Sequence, residues 1–388
     1  MAIDNKDKKI LNVPHLRFPE FSGEWEKCVL TEIVERVTRR NKGNVCKLPL
    51  TISAQYGLVD QITFFNKVIA SADMSNYYLL TKGDFAYNKS YSSEYPWGAI
   101  KRLDRYEYGA LSSLYICFRP LSHVSSDFLM HYFETKKWHQ GVSEIAVEGA
   151  RNHGLLNIGI QDFFATSHYM PQELSEQKKI AAFLNLIEKR ISVQNKIIED
   201  LKKLKSAIYQ EMFGSLVAQT LKLGQVAEVV KGKQVNGTEL LEQGAYYVMN
   251  GGTLPSGWLN KYNTEANTIS ISEGGNSCGY VQYNTSPYWS GGHCYSLKIL
   301  HPQETSDLYL YHFLKWQEEN IMALRIGSGL PNIQKKDLLH FPVILPTITQ
   351  QNKIVLILSA IEEKVSCEIS ITQYFVKQKE YLLSQLFI

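Results

Sequence analysis

Between Lys82 and Arg105, the basic residues Lys82, Lys89, Lys101, Arg102 and Arg105 are interleaved with Tyr87, Asn88, Ser90, Tyr91 and Trp97. Lysine and arginine neutralise phosphates, while asparagine, serine and arginine hydrogen-bond base edges in the major groove, so the mixture suits nucleic-acid contact. A second set, Asn250, Lys261, Asn276, Ser277, Tyr280, Gln282, Tyr283, Trp289, Ser290 and His293, repeats the polar and aromatic chemistry with less charge. That set suits polar reading with few phosphate anchors. The competing expectation is a solvated loop over aromatic core residues for the first set, and turn or core roles for the second.

Other chemistries find less support. A phosphate-binding Gly-x-x-x-x-Gly-Lys-Ser/Thr loop is absent, and Gly274-Gly275-Asn276-Ser277-Cys278-Gly279 lacks both dinucleotide spacing and a following helical period. The Asn/Asp-Pro-Pro-aromatic signature of amino-group methyltransferases does not occur; Ser75-Asn76-Tyr77-Tyr78 lacks both prolines. His123 and His131 are eight apart and His293 adjoins Cys294, with no third ligand placed by spacing, so structural roles are expected. There is no nucleophile elbow. The six cysteines stand apart, without the close pairs of a zinc site, and are read as reduced, mostly buried thiols.

The elements that must position these residues are duplicated. Asn157-Ile158, Asp162-Phe163, Pro171 and a helical run ending at Phe213 return as Asn332-Ile333, Asp337-Leu338, Pro346 and a run ending at Phe387. Leu30 to Val37 is echoed by Leu223 to Val230. Self-similarity of this kind implies two copies of one plan, a globular unit followed by a long helix.

The expected divisions are residues 1–170, a first long helix 171–214, a second globular unit 215–345 and a second long helix 346–388. Within the units, strands are expected at Asn76 to Leu80, Leu111 to Phe118, Thr268 to Ile271 and Gly279 to Tyr283, bounded by turn residues. Helices are expected at Asp127 to Trp138 and Asp307 to Gln317, with Asn157 and Asn332 as N-caps of short helices.

In the first long helix Ile180, Leu184, Ile187, Ile191, Ile198, Leu201, Ile208 and Met212 form one seam, interrupted by Gln194 and Lys205. Ile354, Leu358, Ile361, Val365, Ile369, Phe375 or Val376, Leu382 and Leu386 form a second. A spacing near 3.5 residues marks a coiled coil. Forty residues rising ~1.5 Å each give a rod of roughly 60 Å. Two equal seams pair most simply with each other, antiparallel; the alternative is that each helix packs on its own unit. Lys189, Arg190, Lys196, Lys202, Lys203 and Lys205 lie along the first rod, as a solvated face by default or meeting partners or DNA phosphates.

Length and charge agree with this layout. A chain of 388 residues exceeds one ordinary core. The net charge of +3 argues against a generic polybasic binder, so any nucleic-acid contact must come from patterned surfaces. The charged segment Met1 to Lys9 is not followed by an apolar core, so it is not read as a signal peptide, and no apolar run is long enough to span a membrane.

Taken together, the chain resembles the specificity subunit of type I restriction-modification systems. The resemblance is carried by Leu16-Arg17-Phe18-Pro19-Glu20-Phe21 with Trp25, by Gly83-Asp84-Phe85 leading to Asn88-Lys89-Ser90, and by Gly109-Ala110-Leu111-Ser112-Ser113-Leu114-Tyr115. Arg151-Asn152-His153-Gly154-Leu155-Leu156-Asn157-Ile158 adds to it, as does Met170-Pro171-Gln172-Glu173-Leu174 followed by Glu176-Gln177-Lys178-Lys179-Ile180. It implies an α/β (α+β) chain with a pseudo-twofold internal repeat, in which two target recognition domains are separated by two long helices forming an antiparallel coiled coil. Each domain would read one half of a split target in double-stranded DNA, with the helices as a ruler.

The same resemblance implies no catalytic residues, cofactor or metal in this chain. Two methyltransferase subunits would supply S-adenosylmethionine chemistry, and two restriction subunits would supply ATP- and Mg-dependent translocation and cleavage, all in a bacterial cytoplasm. The rival expectation is a scaffold that spaces two protein partners without reading DNA. One departure is visible: the second proline, in Pro346-Thr347-Ile348-Thr349-Gln350-Gln351-Asn352, lacks the acidic pair that follows the first. That difference makes unequal partner affinity at the two ends an expectation.

Overall fold

The computed structural model describes residues 12–146, 154–327 and 329–388. The segment Arg151 to His153 and the lead-in before Asn12 fall outside the described residues. Two compact units are present, one of Met1–Val193 with Thr372–Ile388 and one of Gln194–Ile371. Both long helices, Leu174–Gly214 and Ile348–Leu386, contribute to both units.

Each unit is built on the same frame. In the first, Glu26–Val29 pairs antiparallel with Ser167–Met170, and a four-stranded antiparallel sheet runs Val34–Arg36, Ile116–Pro120, Phe85–Asn88, Ala99–Arg102. In the second, Gln219–Lys222 pairs with Pro342–Leu345, and the sheet runs Ala227–Lys231, Cys294–Ile299, Thr268–Ser272, Val281–Asn284.

The echo noted between Leu30 and Leu223 is a helical turn entering a strand in both copies. Leu30–Ile33 is closed by Glu32, whose carboxylate accepts from Val29 N at 2.9 Å. Leu223–Val226 is closed by Gln225, which accepts from Lys222 N at 2.9 Å. Such a back-bond satisfies a donor that the first turn would otherwise leave orphaned.

Beyond this frame the units diverge. The first adds a four-stranded sheet, Gly57–Asp60, Pro49–Ser53, Tyr108–Leu111, Tyr78–Thr81, with Pro49–Ser53 parallel to Tyr108–Leu111. Among the described residues the second adds three short strands, Trp258–Leu259, Tyr246–Met249 and Trp289–Ser290.

The long helices pack antiparallel within each unit. In the first, Ile180, Ala181 and Leu184 share a core with Leu382, Leu383, Leu386 and Phe387. In the second, Tyr209 and Phe213 share one with Ile354 and Leu358. The polar interruptions of the seam are matched: Gln194 donates to Glu368, and Lys205 Nζ lies 2.5 Å from Glu362 Oε1. At the ambiguous seam position Phe375 is half-buried under Arg190, 4.5 Å from its ring, while Val376 faces solvent.

A buried glutamine ties each helix to its unit. Gln177 accepts from Ser125 N at 2.8 Å and donates to Pro171 O at 3.0 Å. Gln351 accepts from Ser306 N at 2.8 Å and donates to Pro346 O at 2.8 Å and Glu304 O at 2.7 Å. Ser125 and Ser306 are themselves N-caps, of Ser126–Tyr132 and Asp307–Trp316.

The acidic difference between the two prolines has a structural counterpart. Glu176 is buried and takes Arg17 Nε and Nη2 at 2.8 Å each and Trp25 Nε1 at 3.2 Å. Gln350 stands at the corresponding place, exposed, and completes a capping box with Thr347.

Several local expectations are corrected. The helix expected over Asp127 to Trp138 stops at Tyr132, and a separate one covers His139–Ile145. The strand expected over Leu111 to Phe118 is two strands, because Ser112 to Tyr115 forms a turn closed by Tyr115 N on Ser112 O at 3.2 Å. Neither Asn157 nor Asn332 is a cap: Ile160–Phe164 starts after Gly159, and Lys335–Leu339 after Gln334. Ile158 and Ile333 are buried, which keeps the chain extended past each asparagine. Asn332 instead exchanges backbone hydrogen bonds with Ile326 at 2.9 and 3.0 Å.

Candidate nucleic-acid interface

In the first unit Phe85 stands opposite Arg102 and Asn88 opposite Ala99. The candidate set that is contiguous in sequence is thereby divided between the two ends of one hairpin. At the loop end are Asn88, Lys89, Ser90, Tyr91 and Trp97. Asn88 Oδ1 accepts from Ser90 N at 3.0 Å, starting the turn. Gly98, at φ +78°, closes it; a Cβ there would lie 2.2 Å from Asn88 O.

Tyr91 is 53% exposed, and its amide donates to Gly154 O at 2.9 Å. Tyr87 is buried, stacked 4.8 Å from Phe163, and donates its hydroxyl to Trp97 O at 2.8 Å, so it supports the loop from beneath. Burial raises the pKa of that hydroxyl.

The opposite end carries the remaining cations. Lys82 pairs with Glu107 at 2.9 Å, and Arg102 with Asp104 at 2.7 Å and Asp127 at 2.6 Å. Arg105 is exposed. Lys101 is half-buried in mid-hairpin, and burial lowers its pKa.

The second-unit set falls into three groups. Asn250, Asn276, Ser277 and His293 converge from separate glycine-rich loops. Asn250 Oδ1 accepts from His293 N at 3.1 Å, Glu273 N donates to His293 O at 2.9 Å, and Gly275 N donates to Pro331 O at 3.0 Å.

Lys261 and Trp289 form a second group, the ammonium 5.2 Å from the ring centre. Trp289 Nε1 donates to Lys233 O at 2.9 Å, and the neighbouring Ser290 is buried with its amide on Asn263 Oδ1 at 2.7 Å. The third group faces the helix Asp307–Trp316. Lys315 lies 4.1 Å over the Tyr280 ring, Tyr283 donates to Asp307 at 2.6 Å, and Gln282 Oε1 is buried without a partner.

Some members of these surfaces were not singled out in the sequence. Lys231, Lys233, Gln234 and Glu273 join the loop cluster: Lys231 pairs with Glu273 at 2.7 Å, and Gln234 Oε1 lies over Gly292, 2.3 Å from where a Cβ would be. The Gly-Gly pairs marked these loops as turns, but not which of them meet. In the first unit the short helix Gln61–Phe65 buries none of its residues and exposes Phe64 and Phe65, in edge contact at 5.0 Å.

The histidines serve different elements. His123 Nε2 lies 3.1 Å from Glu32 O, and His131 Nε2 lies 2.8 Å from Asn185 Oδ1. Ligand atoms of His131, Glu134 and Glu188 come within 4.8 Å of one another. Lys379 Nζ lies 2.7 Å from Glu134 and 2.5 Å from Glu188, so an ammonium holds the cation position there. All six cysteines are free; burial pushes Cys117 up to about 12, and Cys28 and Cys294 up to about 11, so these thiols are poor nucleophiles.

Residues 218–373 match the family described as type I restriction modification DNA specificity domain. A protein of Mycoplasma pneumoniae named as a type I specificity subunit is 37% identical over 144 residues, which cover 37% of this chain and 38% of that protein. A counterpart in Mycoplasma genitalium is 31% identical over 161 residues, covering 41% and 42%. These matches thus span about two fifths of the relatives' length.

The fold likeness is wider. The crystal structure of a type I restriction-modification S subunit from M. genitalium aligns over 97% of this chain and 99% of that one, with TM-score 0.64 and 18% identity. A chain from a structural study of type I system assembly aligns over 94% and 97%, with TM-score 0.57 and 16% identity. Among the described residues no helix is long and apolar enough to cross a membrane. Residues 218–373 are thus similar to the type I restriction modification DNA specificity domain, and over nearly its whole length the chain shares the fold of the M. genitalium S subunit.

Proposed function

We propose that this chain is the DNA-reading subunit of a type I restriction-modification complex, taking one half of a split, asymmetric target with each unit. The observation that carries the reading is that the same frame occurs twice, with the same strand order, while the loops mounted on it differ. Identical frames would dock alike on duplex, and different loops would read different bases. In this reading, domains 1–170 and 215–345 hold the readers, and the helices 171–214 and 346–388 set the gap between the half-sites.

Partner docking has support of its own. Leu186, Val193, Ile197 and Leu204 recur at intervals of seven, four and seven on the first long helix, and all are exposed. An apolar helical stripe in solvent suits a partner helix. The partners in this reading are two methyltransferase subunits, which bring S-adenosylmethionine and flip the target adenine, and two ATP- and Mg-dependent restriction subunits. The chain itself contributes recognition and no catalytic group.

Mapping N6-methyladenine in cells carrying this chain and its methyltransferase partner tests the proposal. One bipartite, asymmetric motif with a constant gap is expected. A continuous motif, or none, would refute it.

A further inference from the structure

The stretch 215–345 has nine basic residues against ten acidic ones, yet four of the nine gather around one place. Lys231, Lys233 and Lys298 line a cavity of about 370 Å³, together with Asn263, Thr264 and Ser290. Lys261 lies beside it, over Trp289, whose indole is fixed to the Lys233 carbonyl. Glu273 holds Lys231, and Glu265 also lines the cavity. Among the described residues Lys233 and Lys298 form no ion pair, and both are exposed.

The loop that carries Lys233 is held firmly. Gly232 N donates to Cys294 O at 2.9 Å and Lys233 N to Ser290 O at 2.8 Å. A Cβ on Gly232 would lie 2.1 Å from Gly291 O, so only glycine permits this approach. On the cavity wall Ser290 is 1% exposed, its hydroxyl closed off from solvent beside the buried Cys294.

We infer that this cavity is a phosphate anchor, taking one sugar-phosphate unit of a DNA strand beside the reading loops, with Lys233 and Lys298 as its cations. The inference rests on the DNA-reading function proposed above. A cavity of this size exceeds a bare phosphate and suits a nucleotide unit, whose sugar can lie against Asn263 and Thr264. Contacts of this kind position a protein on duplex and carry no sequence information.

The test uses the full chain assembled with its methyltransferase partner, on the mapped target duplex and on random duplex, over a range of salt. Lys233→Gln and Lys298→Gln should each weaken binding about three- to tenfold on both duplexes, leave their ratio unchanged, and flatten the slope of log affinity against log salt by about 0.9 per charge removed. Lys336→Gln removes the same charge from a helix away from the cavity and should leave the slope unchanged. If the cavity variants behave like Lys336→Gln, the anchor is refuted.

It is also refuted if inorganic phosphate or dAMP binds the chain without DNA and the cavity variants abolish only that binding. A wild-type assembly that shows no preference for any target would overturn the function itself, and the anchor with it.

Discussion

Lys379 Nζ lies 2.5 Å from Glu188 Oε1, and Lys205 Nζ, 174 positions before Lys379, lies 2.5 Å from Glu362 Oε1, 174 positions after Glu188. Glu188 and Glu362 are repeats of one another, as are Lys205 and Lys379. The same Lys–Glu pair therefore closes the helix packing in both units, the first helix supplying the acid in one and the base in the other.

Both pairs are partly buried, so removing one partner leaves the other poorly solvated. Glu362→Gln is expected to destabilise the second unit by about 1–3 kcal/mol, and a double-mutant cycle with Lys205→Met should show coupling near 1 kcal/mol. Urea unfolding of the four proteins measures it. Additive single effects would show that the pair has no energetic link.

The duplicated glutamines should matter unequally. Gln351→Ala strips partners from Ser306 N, Pro346 O and Glu304 O, while Gln177→Ala strips them from Ser125 N and Pro171 O. Each unsatisfied buried group costs about 1–3 kcal/mol, so the loss at Gln351 should be the larger. Thermal unfolding of the two variants checks the order.

Acid should weaken both units. Burial lowers His168 to about 4 and His312 to about 4; Glu362 opposes the shift at His312 and Lys205 adds to it. Thr166 Oγ1 donates to Phe163 O, so it accepts from His168 Nε2, leaving Nδ1 to accept from the Tyr132 hydroxyl at 2.8 Å. A folded-state pKa below the unfolded one means that the unfolded chain takes up protons first. The stabilisation is complete above about pH 6.5 and is lost as pH falls towards 4, by roughly 3 kcal/mol per histidine. Stability against pH should fall about half as steeply over this range in His168→Gln, where His312 alone still titrates.

Tyr91 is the exposed aromatic of the first hairpin loop. Tyr91→Ala is expected to change stability by less than about 0.5 kcal/mol and to relax or alter one half-site only. Methylation mapping reads this directly, and a change in both halves would argue against one reader per unit.

Inserting one heptad in each long helix, between Val193 and Gln194 and between Ile371 and Thr372, adds ~10 Å of rise. The gap should grow by roughly three base pairs at about 3.4 Å each, with both half-sites kept. Altered half-sites would contradict the ruler.

The sequence by itself determined the duplicated order of elements, the two long helices and the echo of Leu30 to Val37 in Leu223 to Val230. All depend on period, breakers and neighbours a few residues apart. It did not decide between Phe375 and Val376, place the caps near Asn157 and Asn332, or show that Lys82 and Asn88 stand at opposite ends of a hairpin. It marked Gln194 and Lys205 as flaws in a seam without revealing Glu368 and Glu362 as their partners. Those matters rest on contacts between residues far apart in the chain, above all on how the long helices pair within each unit and which glycine-rich loops converge on His293. Local spacing carries no information about such partners, and only the folded chain brings them together.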